Sequence, residues 1–186
     1  MKPSAPPPGM RDLRQCLPNV CYCIAYATPD NFAGRPFDGY GAPGAWLRAA
    51  AADALCRAVD RLAQDGLSVV IFDAYRPARA TAHMWRWAQE VGRVDLFDDG
   101  WIARPSRHNR GLAVDLSLVD ATTGAWLDMG SPFDAFVPES HVRGVTGAAL
   151  QRRLVLRAAL LAEGFRPLES EWWHFEHPDP TAEILD

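Results

Sequence analysis

"SRHNRGLAVDLSLV", running from Ser106 to Val119, begins as a polar loop and becomes an apolar run with one residue out of place. Gly111 to Val119 is rich in apolar and β-branched residues and predicts a strand. Asp115 interrupts it. An unpaired carboxylate inside a buried strand is costly, so a cation or several hydrogen-bond donors must meet it. His108 stands seven residues earlier. Gly111, between the two, permits a tight bend or a close backbone approach that lets the loop histidine and the strand aspartate reach one point.

Working outward, "LSVVIFDAY" (Leu67 to Tyr75) reads as a second buried strand by its unbroken β-branched run. Between about Trp46 and Gln64, Leu47, Ala51, Leu55, Val59 and Leu62 recur at helical spacing, and Gly66 is placed as a stop. Pro77 opens a second helix through roughly Gly92, with Ala80, Met84, Trp87 and Val91 on one face. A third helix from about Thr146 to Gly164 carries Leu150, Leu154, Ala158 and Leu161. Val20 to Thr28 reads as extended, the stretch after it is turn-rich, and a last strand takes up Trp172 to Glu176. Short strands joined by turns, without regular βαβ spacing, predict an α+β fold with a small antiparallel sheet packed with helices.

Composition agrees with one domain. The chain has 186 residues, enough to bury a sizeable core, and 48% are hydrophobic against 23% charged. The first ten residues, "MKPSAPPPGM", are expected to form a flexible Pro-rich tail before a single domain at 11–186. They hold no apolar run that reads as a secretory signal, and nothing later is long and apolar enough to span a bilayer, so a cytoplasmic protein is expected. Net charge is -4 and the 19 basic residues are scattered, which argues against nucleic acid or a membrane as partner. Oligomeric state is not legible. Four cysteines without a C-x-x-C pair read as reduced thiols and argue against a structural zinc of the thiolate type.

"EWWHFEH" (Glu171 to His177) brings acids, histidines and aromatics together near the end of the chain. His174 is a plausible third partner for His108 and Asp115. Two imidazoles and a carboxylate suit zinc, and three protein ligands leave a fourth position for water. Spacing alone leaves two other readings open: His108 and Asp115 as a hydrogen-bonded structural pair, and His174 as a core histidine. His83, His141 and His177 are read as non-ligands. Residues three apart on a flat strand face opposite ways, so Glu171 and His174 can share a site only if Glu171 precedes the strand or lies in a bulge. Of Trp172 and Trp173, one is expected in the core and one on a pocket wall.

These motifs resemble the zinc D-alanyl-D-alanine dipeptidases, the VanX-like enzymes. "SRHNRGLAVD" fits S-x-H-x-x-G-x-A-x-D and "EWWH" fits E-x-W-H, with "YATPDNFAG", "GY", "DAYRP" and "MGSPFD" in the family's order. The resemblance covers nearly the whole chain after the tail. It implies the zinc-peptidase fold shared by D,D-peptidases and the Hedgehog signalling domain. It also implies one zinc per chain on His108, Asp115 and His174, Glu171 as catalytic base, and Arg76 as the arginine that steadies the transition state. Tyr26, Ser106 and Asp134 take positions that resemble those around a small dipeptide substrate, with Tyr26 and Asp134 near its free amino group. Without the resemblance, Arg76 reads as a helix-entry ion pair, Asp134 as a turn carboxylate and Ser106 as a turn cap. Ala74 stands where relatives usually have glycine, and the surroundings of His141 also depart from the family. A D,D- or L,D-carboxypeptidase of cell-wall peptides shares the ligand motif. A non-enzymatic binding domain shares the fold, but would need neither Glu171 nor Arg76.

Overall fold

The computed structural model describes residues 6–40 and 44–186. In chain order the elements are β1 (Met10–Asp12), α1 (Leu13–Cys16), β2 (Cys21–Tyr22), β3 (Trp46–Arg48), α2 (Ala49–Gln64), β4 (Leu67–Asp73), α3 (Ala78–Val91), α4 (Asp95–Asp98), β5 (Ala113–Asp120), α5 (Gly147–Ala162), β6 (Arg166–Pro167) and β7 (His174–Glu176). Five strands form one sheet in the order β2-β4-β5-β7-β6, and β1 pairs with β3 in a separate two-stranded sheet. The α+β class is as the sequence implies. Within the large sheet β4, β5, β7 and β6 are antiparallel, and the two-residue β2 joins β4 in parallel at one edge.

The interrupted strand sits at the middle of this sheet. Val114, Leu116 and Leu118 alternate with Asp115 and Ser117 along β5, so one face is apolar and the other carries polar groups. Helices α2 and α5 pack on each other and on the sheet strands β4 and β5, respectively. Helix α2 contributes Ala51, Ala52, Leu55, Ala58, Val59 and Leu62 to the core, small and branched residues that let it lie close. On the polar face, Ser117 and Phe72 meet the loop from Trp126 to Phe133, with Phe72 and Phe133 stacked at 4.6 Å. Strands β4 and β5 are in register from Leu67↔Asp120 to Ile71↔Leu116, and the register then shifts so that Asp73 lies opposite Asp115. Such a bulge bends a strand and re-aims its side chains.

Five expectations change. The helix placed from about Trp46 begins at Ala49, because Trp46–Arg48, Leu47 included, pairs with β1 as β3. Of Val20 to Thr28, read as extended, only Cys21–Tyr22 is a strand, and Ala25–Ala27 form a 3₁₀ turn. The predicted inward face of α5 is wrong: Leu161 is 47% exposed, whereas Arg153, Leu156, Ala159 and Leu160 are buried. Arg153 takes a core position because its guanidinium serves carbonyls of the adjoining loop, donating to Met129 O at 2.6 Å, Glu139 O at 2.8 Å and His141 O at 2.7 Å. Val91 of α3 points outward at 52% exposure, since the helix ends at Gly92, which is left-handed with φ 71°. The expected final strand begins two residues late, at His174, because Trp172 and Trp173 form a turn. Of the expected tail, residues 1–5 lie outside the described residues, and Met10 is buried in β1. No helix among the described residues is long and apolar enough to cross a membrane.

Candidate metal centre

Three polar side chains converge where β4, β5 and β7 meet the loop before β5. Asp115 lies opposite His174 in the β5–β7 ladder. His108 sits in a 3₁₀ turn, Arg107–Arg110, which ends at Gly111 with φ 66°. That left-handed residue turns the chain from loop into strand, the bend the sequence implied. Ser106 caps the turn, accepting from His108 N at 3.2 Å, while Asn109 Oδ1 accepts from Ser106 N at 3.0 Å.

His108 Nε2 and His174 Nδ1 are 3.2 Å apart. Asp115 reaches both, its Oδ2 3.3 Å from His108 Nε2 and its Oδ1 2.9 Å from His174 Nδ1. One donor atom from each residue lies within 4.8 Å of the others, and all three residues are buried. The far nitrogens are already engaged: His108 Nδ1 donates to Ala74 O at 2.6 Å, and His174 Nε2 to Glu176 Oε1 at 3.2 Å. Those bonds fix the tautomers so that two lone pairs point at one place, the arrangement of metal-ligating histidines. The site also favours positive charge, and a bound cation takes the place of the proton that His174 Nδ1 otherwise shares with Asp115 Oδ1 at 2.9 Å. Burial opposes a charged His174 ring, but its bonds to Asp115 and Glu176 outweigh this and push it up to about 10. Burial likewise works against an ionised Asp115, yet His108 and His174 hold its carboxyl well below the usual range. The donor set fits a metal ion.

Glu171 stands on the same side. Residues 171–174 form a turn in which His174 N donates to Glu171 O at 3.2 Å, and Glu171 Oε2 lies 3.9 Å from His174 Nδ1. The turn resolves the three-residue spacing, since the two residues are not on one flat strand. Burial pushes the Glu171 carboxyl up to about 7, against the opposing effect of His174. Trp173 lines the cavity, whereas Trp172 lines the neighbouring groove and donates its Nε1 to Ser131 Oγ at 3.0 Å.

Arg76 follows β4 and is 6% exposed. Its Nε and Nη2 each lie 2.9 Å from Asp73 Oδ2, its guanidinium carbon is 4.7 Å from the centre of the Tyr26 ring, and Nη1 meets the Met84 thioether at 3.8 Å. The ion pair that a bland reading expected exists, but it is buried and inside the site. Asp134 accepts from Tyr26 Oη at 2.8 Å. Its backbone is left-handed, φ 57°, as is that of Phe136 at φ 50°. Non-glycine residues hold that conformation only where the surroundings impose it. Burial and the nearby Asp115 charge push the Asp134 carboxyl up, against the Tyr26 hydrogen bond.

All eight residues singled out in the sequence, Tyr26, Arg76, Ser106, His108, Asp115, Asp134, Glu171 and His174, line one cavity of about 280 Å³. Sequence reasoning missed three partners. Glu176 was detectable, being two residues past His174 and so on the same strand face. Asp73 was visible as a carboxylate ending an apolar strand, the same signal that singled out Asp115. Tyr40, which donates to Asp73 Oδ1 at 2.8 Å, left no local signal.

Residues 8–184 match the sequence model of the Peptidase M15 family, described as D-ala-D-ala dipeptidase. The chain is 39% identical over 175 residues to a D-alanyl-D-alanine dipeptidase of Streptomyces coelicolor, covering 84% of this chain and 87% of that one. With the D-alanyl-D-alanine dipeptidase of Escherichia coli it shares 37% identity over 173 residues, 92% of this chain and 86% of the other. Among solved structures, the LdcB LD-carboxypeptidase superposes with a TM-score of 0.54 at 19% identity, over 94% of this chain and 70% of that one, a likeness of fold.

Proposed function

The chain belongs to the D-ala-D-ala dipeptidase family, and from that premise we propose that it is a zinc peptidase that hydrolyses D-alanyl-D-alanine or a similar D,D-dipeptide to free amino acids. The observation that carries this reading is the convergence of His108 Nε2, Asp115 and His174 Nδ1 on one point with Glu171 beside them. Two nitrogens held at about 2.0–2.1 Å in a tetrahedral site stand about 3.3 Å apart, and the imidazole nitrogens are 3.2 Å apart here. These three residues would hold one zinc ion per chain. When bound, zinc supplies a Lewis acid that polarises the scissile carbonyl and acidifies water.

The chain's own residues do the rest. Glu171, with a carboxyl near neutrality, accepts a proton from the attacking water and passes it to the leaving amine. Arg76 has its Nε and Nη2 committed to Asp73, while Nη1 meets only a weak sulfur acceptor and can donate to the oxyanion that develops at the carbonyl. A preorganised donor of this kind contributes about 2.7–4 kcal/mol. Asp134, held by Tyr26, takes the substrate's ammonium group. Ser106 lines the same cavity.

The test is a pair of assays on one purified sample with about one zinc per chain. D-alanyl-D-alanine is cut and its N-acetylated form is not. Equal rates on the two would replace the dipeptidase reading with a carboxypeptidase, and a metal-free protein at full activity would end the zinc reading.

A further inference from the structure

Asp73 and Asp115 face each other across the β4–β5 ladder, and Arg76 lies within reach of both. Its Nη2 is 2.9 Å from Asp73 Oδ2 and 3.8 Å from Asp115 Oδ2. Asp73 is fully buried. It meets the arginine through two nitrogens, while its other oxygen accepts from Tyr40 Oη at 2.8 Å. Asp73 Oδ2 is also 3.5 Å from His108 Nδ1, but that nitrogen spends its hydrogen on Ala74 O at 2.6 Å. The backbone of Arg76 is fixed independently: its N donates to His108 O at 3.1 Å, and its O accepts from Asn109 Nδ2 at 2.9 Å. What remains to be set is the direction of the guanidinium.

We propose that Asp73 is a positioning residue that divides two carboxylates between two cations. It keeps Arg76 off Asp115, so that Asp115 is free to hold the metal and Nη1 of Arg76 is turned toward the substrate. The bulge between Ile71 and Asp73 gives this division its geometry by bringing Asp73 opposite Asp115. Tyr40 holds the carboxylate from behind, and the Tyr26 ring supports the flat face of the guanidinium. A neutral side chain at 73 leaves a buried guanidinium with one ionised partner within reach, Asp115, and Arg76 then competes with the metal for it.

The inference rests on the reading that His108, Asp115 and His174 hold zinc, and its main measurement needs no substrate. Zn²⁺ affinity is measured by competition with a chromophoric chelator for the wild type, Asp73→Asn, Arg76→Met and the double variant. Asp73→Asn is expected to weaken zinc about 10–100-fold, the usual effect of disturbing a group behind a metal ligand. In the Arg76→Met background the same change is expected to alter affinity less than about threefold, because the competitor is gone. An equal loss in both backgrounds means that Asp73 acts through its own charge and overturns the proposal, as does wild-type affinity in Asp73→Asn. If Asp73→Asn does not fold, Tyr40→Phe keeps the carboxylate but frees one oxygen. A several-fold loss, silent in Arg76→Met, is expected there, and no loss overturns the proposal. In zinc-saturated enzyme Asp73→Asn lowers kcat roughly 10–100-fold with KM within about threefold, as a misaimed transition-state group does. A shift confined to KM removes the aiming role. Wild-type protein that binds zinc but leaves D-alanyl-D-alanine intact removes the substrate assignment alone, and the zinc comparison still stands.

Discussion

Asp115 and His174 stand opposite each other on hydrogen-bonded strands, whereas Asp134, across the cavity, stands on an irregular loop at φ 57°. The first wall is set by ladder register, and the displacement of any one group there strains several backbone bonds. The second is held by side chains: the Tyr26 hydroxyl on Asp134, Arg153 on the carbonyls of Met129, Glu139 and His141, and the Phe72–Phe133 stack. On the proposed reading, the reacting centre is therefore placed by the sheet and the substrate's amino end by packing. Changes to the strand wall should act on metal and turnover, and changes to the loop wall on binding.

Replacing His108 or His174 by alanine gives the largest effect, loss of stoichiometric zinc and of essentially all hydrolysis, read by metal analysis together with assay. Glu171→Gln comes next, retaining zinc and losing about 10²–10⁴ in kcat. Near-normal turnover by that variant removes Glu171 from the chemistry. On the loop wall, Asp134→Asn is expected to raise KM about 10–100-fold with a smaller change in kcat. A pure kcat loss there erases the contrast between the walls. Tyr26→Phe removes one hydrogen bond behind Asp134 and should raise KM about 2–10-fold.

The turn that leads into the strand wall carries a pH signature in metal-free protein. Glu171 is pushed from 4.5 to about 7 in the fold, so the folded state binds its proton more tightly than the unfolded chain. Ionising it costs stability, a cost absent below pH 4.5 and complete above about pH 7, on the order of a few kcal/mol. Metal-free Glu171→Gln is expected to melt higher than metal-free wild type at about pH 8, with the gap closing as pH falls from 7 to 4.5. A gap independent of pH over that range would mean that the carboxyl is not held in a desolvated place.

The strand wall was also the more legible. Asp115 announced itself by interrupting an apolar run, α2 and α3 followed from helical periodicity, and β4 and β5 from apolar, β-branched runs. The face of α5 was misread because the periodicity rule sends an arginine outward, whereas the loop carbonyls, Ser131 Oγ and the Trp172 ring that Arg153 meets explain its burial. Strands β1, β2, β3 and β6 have two or three residues each, too few for a pattern, and exist through their partners. The roles of Arg76, Asp134 and Tyr26 came from resemblance to a family, since each alone fits a commoner structural use. Tyr40 reaches Asp73 across 33 residues of chain, a distance no local rule spans.

The turn from Glu171 to His174 has a consequence for how this chain can change length. A single backbone bond, His174 N to Glu171 O at 3.2 Å, closes it, so Glu171 and His174 sit at the two ends of a fixed spacer. Adding or deleting one residue there would rotate one end away from the other, whatever residue was chosen. The hairpin turn after β5, Ala121 to Gly124, is exposed and contributes nothing to the cavity at the metal centre. In a scan of one-residue insertions the hairpin turn should accept extra length and the spacer should accept none, which makes segment length there as much a part of the site as side-chain identity.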